Sequence, residues 1–192
     1  NFGHEAFRSG SAGFPIAQRG TVQSIRPVAT ADDILRGKLS ASPDYCIYME
    51  SSTEDQAREE ARVAFDYLKE RVLPVVKGRA ESRKDANIYA SWIRRWWQPW
   101  APRTDFFARL RGNSRILVIP KVSSRPVFAF ISAKFVPNDT LAVFALDDDY
   151  SFGILQSGLH WAWTKAKGGK VRADIRYTND VWTTFPWPQE PS

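Results

Sequence analysis

RILVIPKVSSRPVFAFISAKFVPNDTLAVFAL, residues 115 to 146, is the stretch on which the fold turns. It holds three runs rich in aliphatic and aromatic residues, RILVIP (115–120), VFAFISAKFV (127–136) and TLAVFAL (140–146). Between them lie KVSSRP and PND, built from the residue types that break strands and reverse chains. Strand-length runs joined by short connections predict a small antiparallel β meander.

Helices are predicted on either side of it. Upstream, Thr53 and Gln56 form a capping-box pattern, and Ala57, Ala61, Ala64, Phe65, Leu68 and Val72 recur at helical spacing until Pro74. A charged connector, KGRAESRKDA (77–86), leads to NIYASWIRRWWQPW (87–100). There Ile88, Trp92 and Trp96 fall four apart, which predicts a second helix ending before Pro99 with Arg94 and Arg95 on another face. Before both, DYCIYME (44–50) reads as a buried strand, and residues 1–44, with GFPIA and TVQSIRPV, read as loop with one or two short strands. Downstream, Phe152, Leu155, Leu159 and Trp163 mark a helical stripe capped by the acids Asp147 to Asp149 and stopped at Gly168-Gly169. The last segment, DIRYTNDVWTTFPWPQEPS (174–192), is expected to return as an extended strand with a proline-punctuated tail. Pro186 and Pro188 hold Phe185 and Trp187 there as apolar plugs. The order of elements predicts the α+β class: a small antiparallel meander packed with several helices in a single compact domain. Residues 1–145 form its core, and residues 146–192 a C-terminal helix and tail packing back on it.

Composition narrows the function. At 43% hydrophobic and 25% charged residues the chain is ordinary globular material, with no apolar run of membrane-spanning length and no leader-like start, so the expected location is cytoplasmic. The first residue is Asn1, and the chain reads as a piece of a longer polypeptide. A single cysteine, Cys46, leaves no internal disulfide, and with His4 and His160 it gives no zinc-ligand spacing. No phosphate-binding loop, dinucleotide fingerprint or nucleophile elbow occurs. Neither histidine has a sequence-local acid to make a relay, so no catalytic residue, metal ligand or cofactor-binding residue is expected.

Charge points to binding instead. Residues 86–134 hold nine basic side chains (Arg94, Arg95, Arg103, Arg109, Arg111, Arg115, Lys121, Arg125, Lys134) against the single acid Asp105. Residues 41–85 carry eight basic and ten acidic groups, and residues 135–192 five and seven. A positive middle third interleaved with Asn and Ser suits a polyanion, since Lys and Arg neutralise phosphates and Arg and Asn read base edges. The competing reading draws on the eight tryptophans: a protein-interaction module, or a carbohydrate- or single-strand-binding module with exposed indoles for stacking.

The ordered set RILVIPKVSSRPVFAFI, FALDDDYSFGILQSGLHWAWTKAKGG and IRYTNDVWTTFPWP resembles the target recognition domain and C-terminal region of MmeI-like DNA methyltransferases, many of them combined restriction-modification enzymes. The shared features are a strand ending in Pro-x-Val-Ser, a Phe-Gly-Ile-Leu helix, an Arg-Tyr strand and a closing Thr-Phe-Pro-Trp-Pro. AREEARVAFDYLKERVLPV and RRWWQPWAPRTDFFARLRGNSRIL are compatible with the same family, so the resemblance covers roughly residues 45–188. Trp182-Thr183 in place of aromatic-Asn, and Trp161 after His160 where an acid is common, are departures that touch the tail packing. The resemblance implies sequence-specific recognition of double-stranded DNA by this chain. Methyl transfer, to adenine N6, and S-adenosylmethionine would belong to a methyltransferase domain of the same parent polypeptide, whose cofactor loop and Asn-Pro-Pro-Tyr motif do not occur here. On charge and placement, Arg109, Arg111, Asn113, Arg115, Lys121, Ser123, Ser124 and Arg125, around the two ends of the first strand, are the expected DNA contacts.

Overall fold

A computed structural model describes residues 24–37, 39, 44–82, 86–99 and 104–188. GFPIA, His4, Trp100 and Arg103 lie outside the described residues. The chain is α+β, with short antiparallel sheets among helices, and its contacts divide it into two compact units. The first takes in residues 1–28 and 43–108, the second residues 29–42 and 109–192.

In the first unit, β1 (Ile25–Ala29) pairs antiparallel with β2 (Tyr45–Ile47), Ile25 opposite Ile47 and Pro27 opposite Tyr45. Cys46 is buried on β2, and burial pushes its thiol up to about 12, which leaves it an unreactive core residue. The single helix expected behind Thr53 forms as three: α2 (Glu54–Glu60), α3 (Arg62–Arg71) and α4 (Leu73–Glu81). Ala61 leaves the helical region at φ −151°, which separates α2 from α3. Pro74 does not end a helix but sits in the first turn of α4, where an absent N–H costs no hydrogen bond. Half of the expected capping box forms: Thr53 Oγ1 accepts from Gln56 N at 3.3 Å, while the Gln56 side chain accepts from the Ser52 hydroxyl at 3.0 Å.

The apolar stripe survives these breaks, and Ala57, Ala64, Phe65, Leu68, Val72 and Val76 all lie in the unit's core. Trp96 packs on Phe65 with ring centres 5.0 Å apart. The tryptophan helix is shorter than its pattern suggests. α5 (Ala86–Ile93) ends before Trp96, so the four-residue spacing does not continue a helical face: Trp92 and Trp96 are buried, but Ile88 is 53% exposed. Beyond α5, Trp97 Nε1 and Gln98 Nε2 both donate to Ser51 O at 2.9 Å. α6 (Thr104–Arg109) forms in a stretch read from sequence only as a connection.

The second unit opens with α1 (Ala31–Arg36), whose full capping box on Thr30 and Asp33 and left-handed stop at Gly37 (φ +63°) were not read in the loop-like start of the sequence. α1 packs on β3 (Arg115–Pro120), the middle strand of a sheet completed by β5 (Ala129–Ser132) and β7 (Leu141–Phe144). Leu117 faces Phe130 on one side and Phe144 on the other. In a sequential meander the second run would be central. Here the first is, because Ile116 to Ile119 form an unbroken apolar run that suits a strand covered on both faces. VFAFISAKFV divides into β5 and β6 (Val136–Pro137), with a turn at 133–135.

The helical stripe of residues 152–163 also divides, into α7 (Asp149–Gln156) and α8 (Gly158–Lys167). Ser157 caps α8, accepting from His160 N at 3.2 Å. The kink keeps Leu155 buried and Phe152 and Trp163 against the core, but leaves Leu159 73% exposed. β4 (Val122–Ser123), β9 (Asp174–Arg176) and β8 (Gly169–Val171) then form a second small sheet in the order β4-β9-β8. The expected C-terminal strand is therefore confined to Asp174–Arg176, and NDVWTT folds as α9 (Asn179–Thr184), with Val181 in the core. Past it, Phe185 is buried edge-on to His160 at 4.4 Å, and Trp187 packs on Trp182 and Phe185. The two aromatics plug this unit's own core.

Two glycines should respond oppositely to alanine. A Cβ at Gly168 would lie 2.5 Å from Thr164 O and 2.8 Å from Arg176 O, both backbone atoms, whereas one at Gly153, inside α7, meets nothing within 4 Å. Gly168→Ala should lower stability by more than ~1 kcal/mol, and Gly153→Ala should raise it by ~0.5–1 kcal/mol, in urea titrations. In the same assay Phe185→Ala should cost ~3 kcal/mol or more and increase apolar-dye binding. Unchanged unfolding would show that the tail is not part of the core.

Candidate nucleic-acid interface

The expected contact residues lie at the two ends of β3. Arg109 and Arg111 are exposed at its entry, where Gly112 takes a left-handed conformation (φ +99°) and Asn113 N donates to Leu110 O at 3.0 Å. At its exit, Lys121 N donates to Thr140 O at 2.8 Å, and Lys121 O accepts from Tyr177 N at 2.7 Å. Ser124 and Arg125 are exposed just beyond. The ends of β3, five residue steps apart, are ~17 Å from each other, so the residues around them form two patches rather than one.

Two of the eight residues are engaged by the fold itself: Ser123 by burial, and Arg115, whose side chain keeps 39% of its exposure, by its partners. Arg115 donates from Nε to Asp147 O at 2.9 Å and from a terminal nitrogen to Asp149 Oδ1 at 2.8 Å, while its guanidinium lies 3.9 Å from the centre of the Phe130 ring. Ser123 is buried; its hydroxyl donates to Arg125 O at 2.7 Å and accepts from Arg125 N at 3.2 Å, which shapes the turn that presents Arg125. Arg109, Arg111, Asn113, Lys121, Ser124 and Arg125 keep side chains at least partly exposed.

The sheet β4-β9-β8 adds residues that the charge tally passed over. β9 pairs with β4 through Val122 opposite Arg176 and Ser123 opposite Ile175, which brings Lys170, Arg172 and Arg176 beside Lys121 and Arg125. All three are exposed. They lie about fifty residues away in sequence, in a segment with more acids than bases, so a charge count by segment does not reveal them.

Among the described residues, the titratable groups with shifted pKa values are committed to the core or to helix caps. His160 is fully buried among Phe128, Tyr177 and Phe185, with Nε2 3.1 Å from the Tyr177 hydroxyl and no described partner for Nδ1. Desolvation lowers its pKa to about 4, and burial raises that of Tyr177, so the pair is neutral at pH 7. Asp148 caps α7 through Ser151 N at 2.7 Å, the bond that holds its carboxyl below the usual range, and Asp149 is taken by Arg115. Among the described residues no group of three or more His, Cys, Asp or Glu is placed to hold a metal ion. No helix of the described residues is long and apolar enough to cross a membrane. Among the described tryptophans, Trp92, Trp96 and Trp97 are buried and Trp161, Trp163, Trp182 and Trp187 are half-buried, with Trp163, Trp182 and Trp187 packed against the core of the second unit.

An α+β module with cationic strand ends and tightly packed aromatics has the character of a recognition domain. The chain belongs to the MmeI target recognition domain family, whose family model matches residues 13–189. Over an alignment 79 residues long that covers 38% of this chain, the sequence is 34% identical to DNA methyltransferase A of Bacillus subtilis (strain 168), of which it covers 9%. The fold is similar to that of the type IIL restriction-modification enzyme MmeI, solved in complex with DNA: TM-score 0.68 and 17% identity over 96% of this chain. The chain spans 23% of that protein.

The neutral His160 predicts a pH dependence of stability. Its folded pKa of about 4 lies below the ordinary value of 6.5, so its contribution is present above about 6.5 and is lost as pH falls toward about 4. The loss should be on the order of 3 kcal/mol, and His160→Gln should flatten that part of the profile in denaturant titrations across the range. Parallel profiles for the two proteins would show that His160 does not titrate with unfolding.

Proposed function

We infer that this chain recognises a specific sequence in double-stranded DNA as part of a longer DNA methyltransferase or restriction-modification enzyme. The observation that carries the reading is the family match over residues 13–189. The cations at both ends of β3 support it: exposed Arg109 and Arg111 at one end, half-buried Lys121 and exposed Arg125 at the other. A spacing of ~17 Å is about half the ~34 Å turn of B-DNA, so one strand can carry its two ends to phosphates on separate parts of a duplex. In this reading Arg and Asn side chains read base edges, and Lys121 and Ser124 position the backbone. Arg115 and Ser123 fix the strand ends from within.

Methyl transfer, to adenine N6, belongs to a methyltransferase domain of the same parent polypeptide, which would hold S-adenosylmethionine and extrude the target base. Such an enzyme acts on DNA in the cytoplasm. The packing of Trp92, Trp96 and Trp97 in one core and of Trp163, Trp182 and Trp187 against the other favours this reading over an aromatic binding platform.

The test is fluorescence anisotropy with a random-sequence duplex at low and moderate salt. Binding should fall steeply with salt, and an Arg109→Ala, Arg111→Ala, Arg125→Ala triple variant should reduce the salt slope by up to ~3 while its melting temperature holds. Arg115→Ala should instead lower stability, by ~1–2 kcal/mol. Salt-insensitive binding, or a triple variant indistinguishable from wild type, would count against the DNA reading of these residues.

A further inference from the structure

We propose that Gln156 is a positioning residue for DNA binding: from the end of α7 it clamps the loop between β4 and β5, so that Arg125 is presented in one fixed backbone conformation. The proposal rests on the DNA reading above. The Gln156 side chain accepts from Phe128 N at 3.0 Å and donates to Pro126 O at 3.2 Å. The carbonyl of one residue and the N–H two residues on lie on the same side of an extended segment, where a neighbouring strand would bond them. Here one carboxamide bonds both and holds Pro126 to Phe128 extended, leading into β5, the outer strand of its sheet.

Arg125 is held from the other side as well. The Ser123 hydroxyl donates to Arg125 O at 2.7 Å and accepts from Arg125 N at 3.2 Å, and Ser123 itself is buried. Pro126 has its own φ fixed by its ring and disfavours the helical region for Arg125 before it. Pro126 and Val127 are half-buried, and Phe128 is buried against Phe144, His160 and Tyr177, so Ser124 and Arg125 are the exposed residues of the loop. A cation whose backbone is already ordered loses less freedom on meeting a duplex. Gln156 is half-buried and its carboxamide is engaged with the loop backbone, so its effect on binding runs through Arg125.

The clamp is anchored by α7. In the first turn of that helix Asp149 accepts from Arg115 at 2.8 Å, at the entry of β3. Gln156 is its last residue, because the chain leaves the helical region at Ser157 (φ −67°, ψ 154°). The helix is thus attached at both ends, to the entry of β3 through Asp149 and to the loop beyond its exit through Gln156. One rigid element therefore ties the two cationic patches to a common frame, and a site held by such an element is more precise than one left to a loop.

Two measurements on the full 192-residue chain test this. The first is a double-mutant cycle read by anisotropy with a random-sequence duplex. Gln156→Met, similar in length but without the amide, should weaken binding ~3–10-fold and leave the salt slope unchanged, whereas Arg125→Ala should lower the slope by ~1. In the Arg125→Ala background, Gln156→Met should weaken binding no further. Additive losses would mean that Gln156 supports the fold in general and would overturn the positioning role. If wild type binds and Gln156→Met binds equally well, the role fails and the DNA reading stands. If wild type shows no salt-sensitive binding, both fail. The second measurement, amide hydrogen exchange on the free chain, tests the clamp without DNA. The Arg125 and Phe128 N–H groups should exchange faster in Gln156→Met than in wild type, while Ile116 to Ile119 keep their protection. Gln156→Glu, which retains an acceptor for Phe128 N, should restore the protection of Phe128. Equal exchange at Arg125 and Phe128 in wild type and Gln156→Met would overturn the clamp whatever the duplex result.

Discussion

The pairing of β3 with a strand on each side constrains the rest of the second unit. Ile116 to Ile119 are almost stripped of solvent, and burying four such side chains contributes ~1.5–3 kcal/mol each. A strand buried on both faces offers polar groups only at its ends, so the chain must enter and leave there through exposed turns. Those turns are where Arg109, Arg111, Ser124 and Arg125 emerge. The exit is tied again at Lys121, whose backbone bonds to both Thr140 and Tyr177. Through that joint the second small sheet takes its position from the first.

The aromatic cluster around His160 plays the complementary part. It brings Phe128, Tyr177 and Phe185 onto one imidazole, joining the strand, the hairpin exit and the tail. A charged ring in that setting would have no counter-ion, so desolvation keeps it neutral and the cluster behaves as hydrophobic core. The tail proline residues matter for the same reason: they hold Phe185 and Trp187 at an angle that closes the cluster without asking for further backbone hydrogen bonds.

Arginines of one short segment thus divide by geometry. Arg115 is committed to a carboxylate, a carbonyl and an aromatic face at once, an arrangement that fixes the start of β3 to the start of α7. Arg109 and Arg111, a few residues before it, reach solvent. A charge count treats all three alike, although a cation committed to internal partners is less available to a polyanion.

Local pattern alone determined the α+β class, the three strand runs, the buried Cys46 strand, the apolar stripe from Ala57 to Val72 and the aromatic plug at Phe185 and Trp187, because each depends on neighbours within a few residues. The motif order from RILVIP to FPWP also made the family legible. Tertiary structure decided the rest. Which run became the central strand depended on which was apolar on both faces, and the helices broke at Ala61 and Ser157, where a straight rod would not follow the core. The cations of the β8–β9 hairpin joined those flanking β4 through pairing across some fifty residues, a contact no local spacing encodes. The pairing that commits Arg115 to Asp147 and Asp149 and the burial that turns Ser123 inward, while Arg111 and Arg125 stay outside, exist only once the chain has folded.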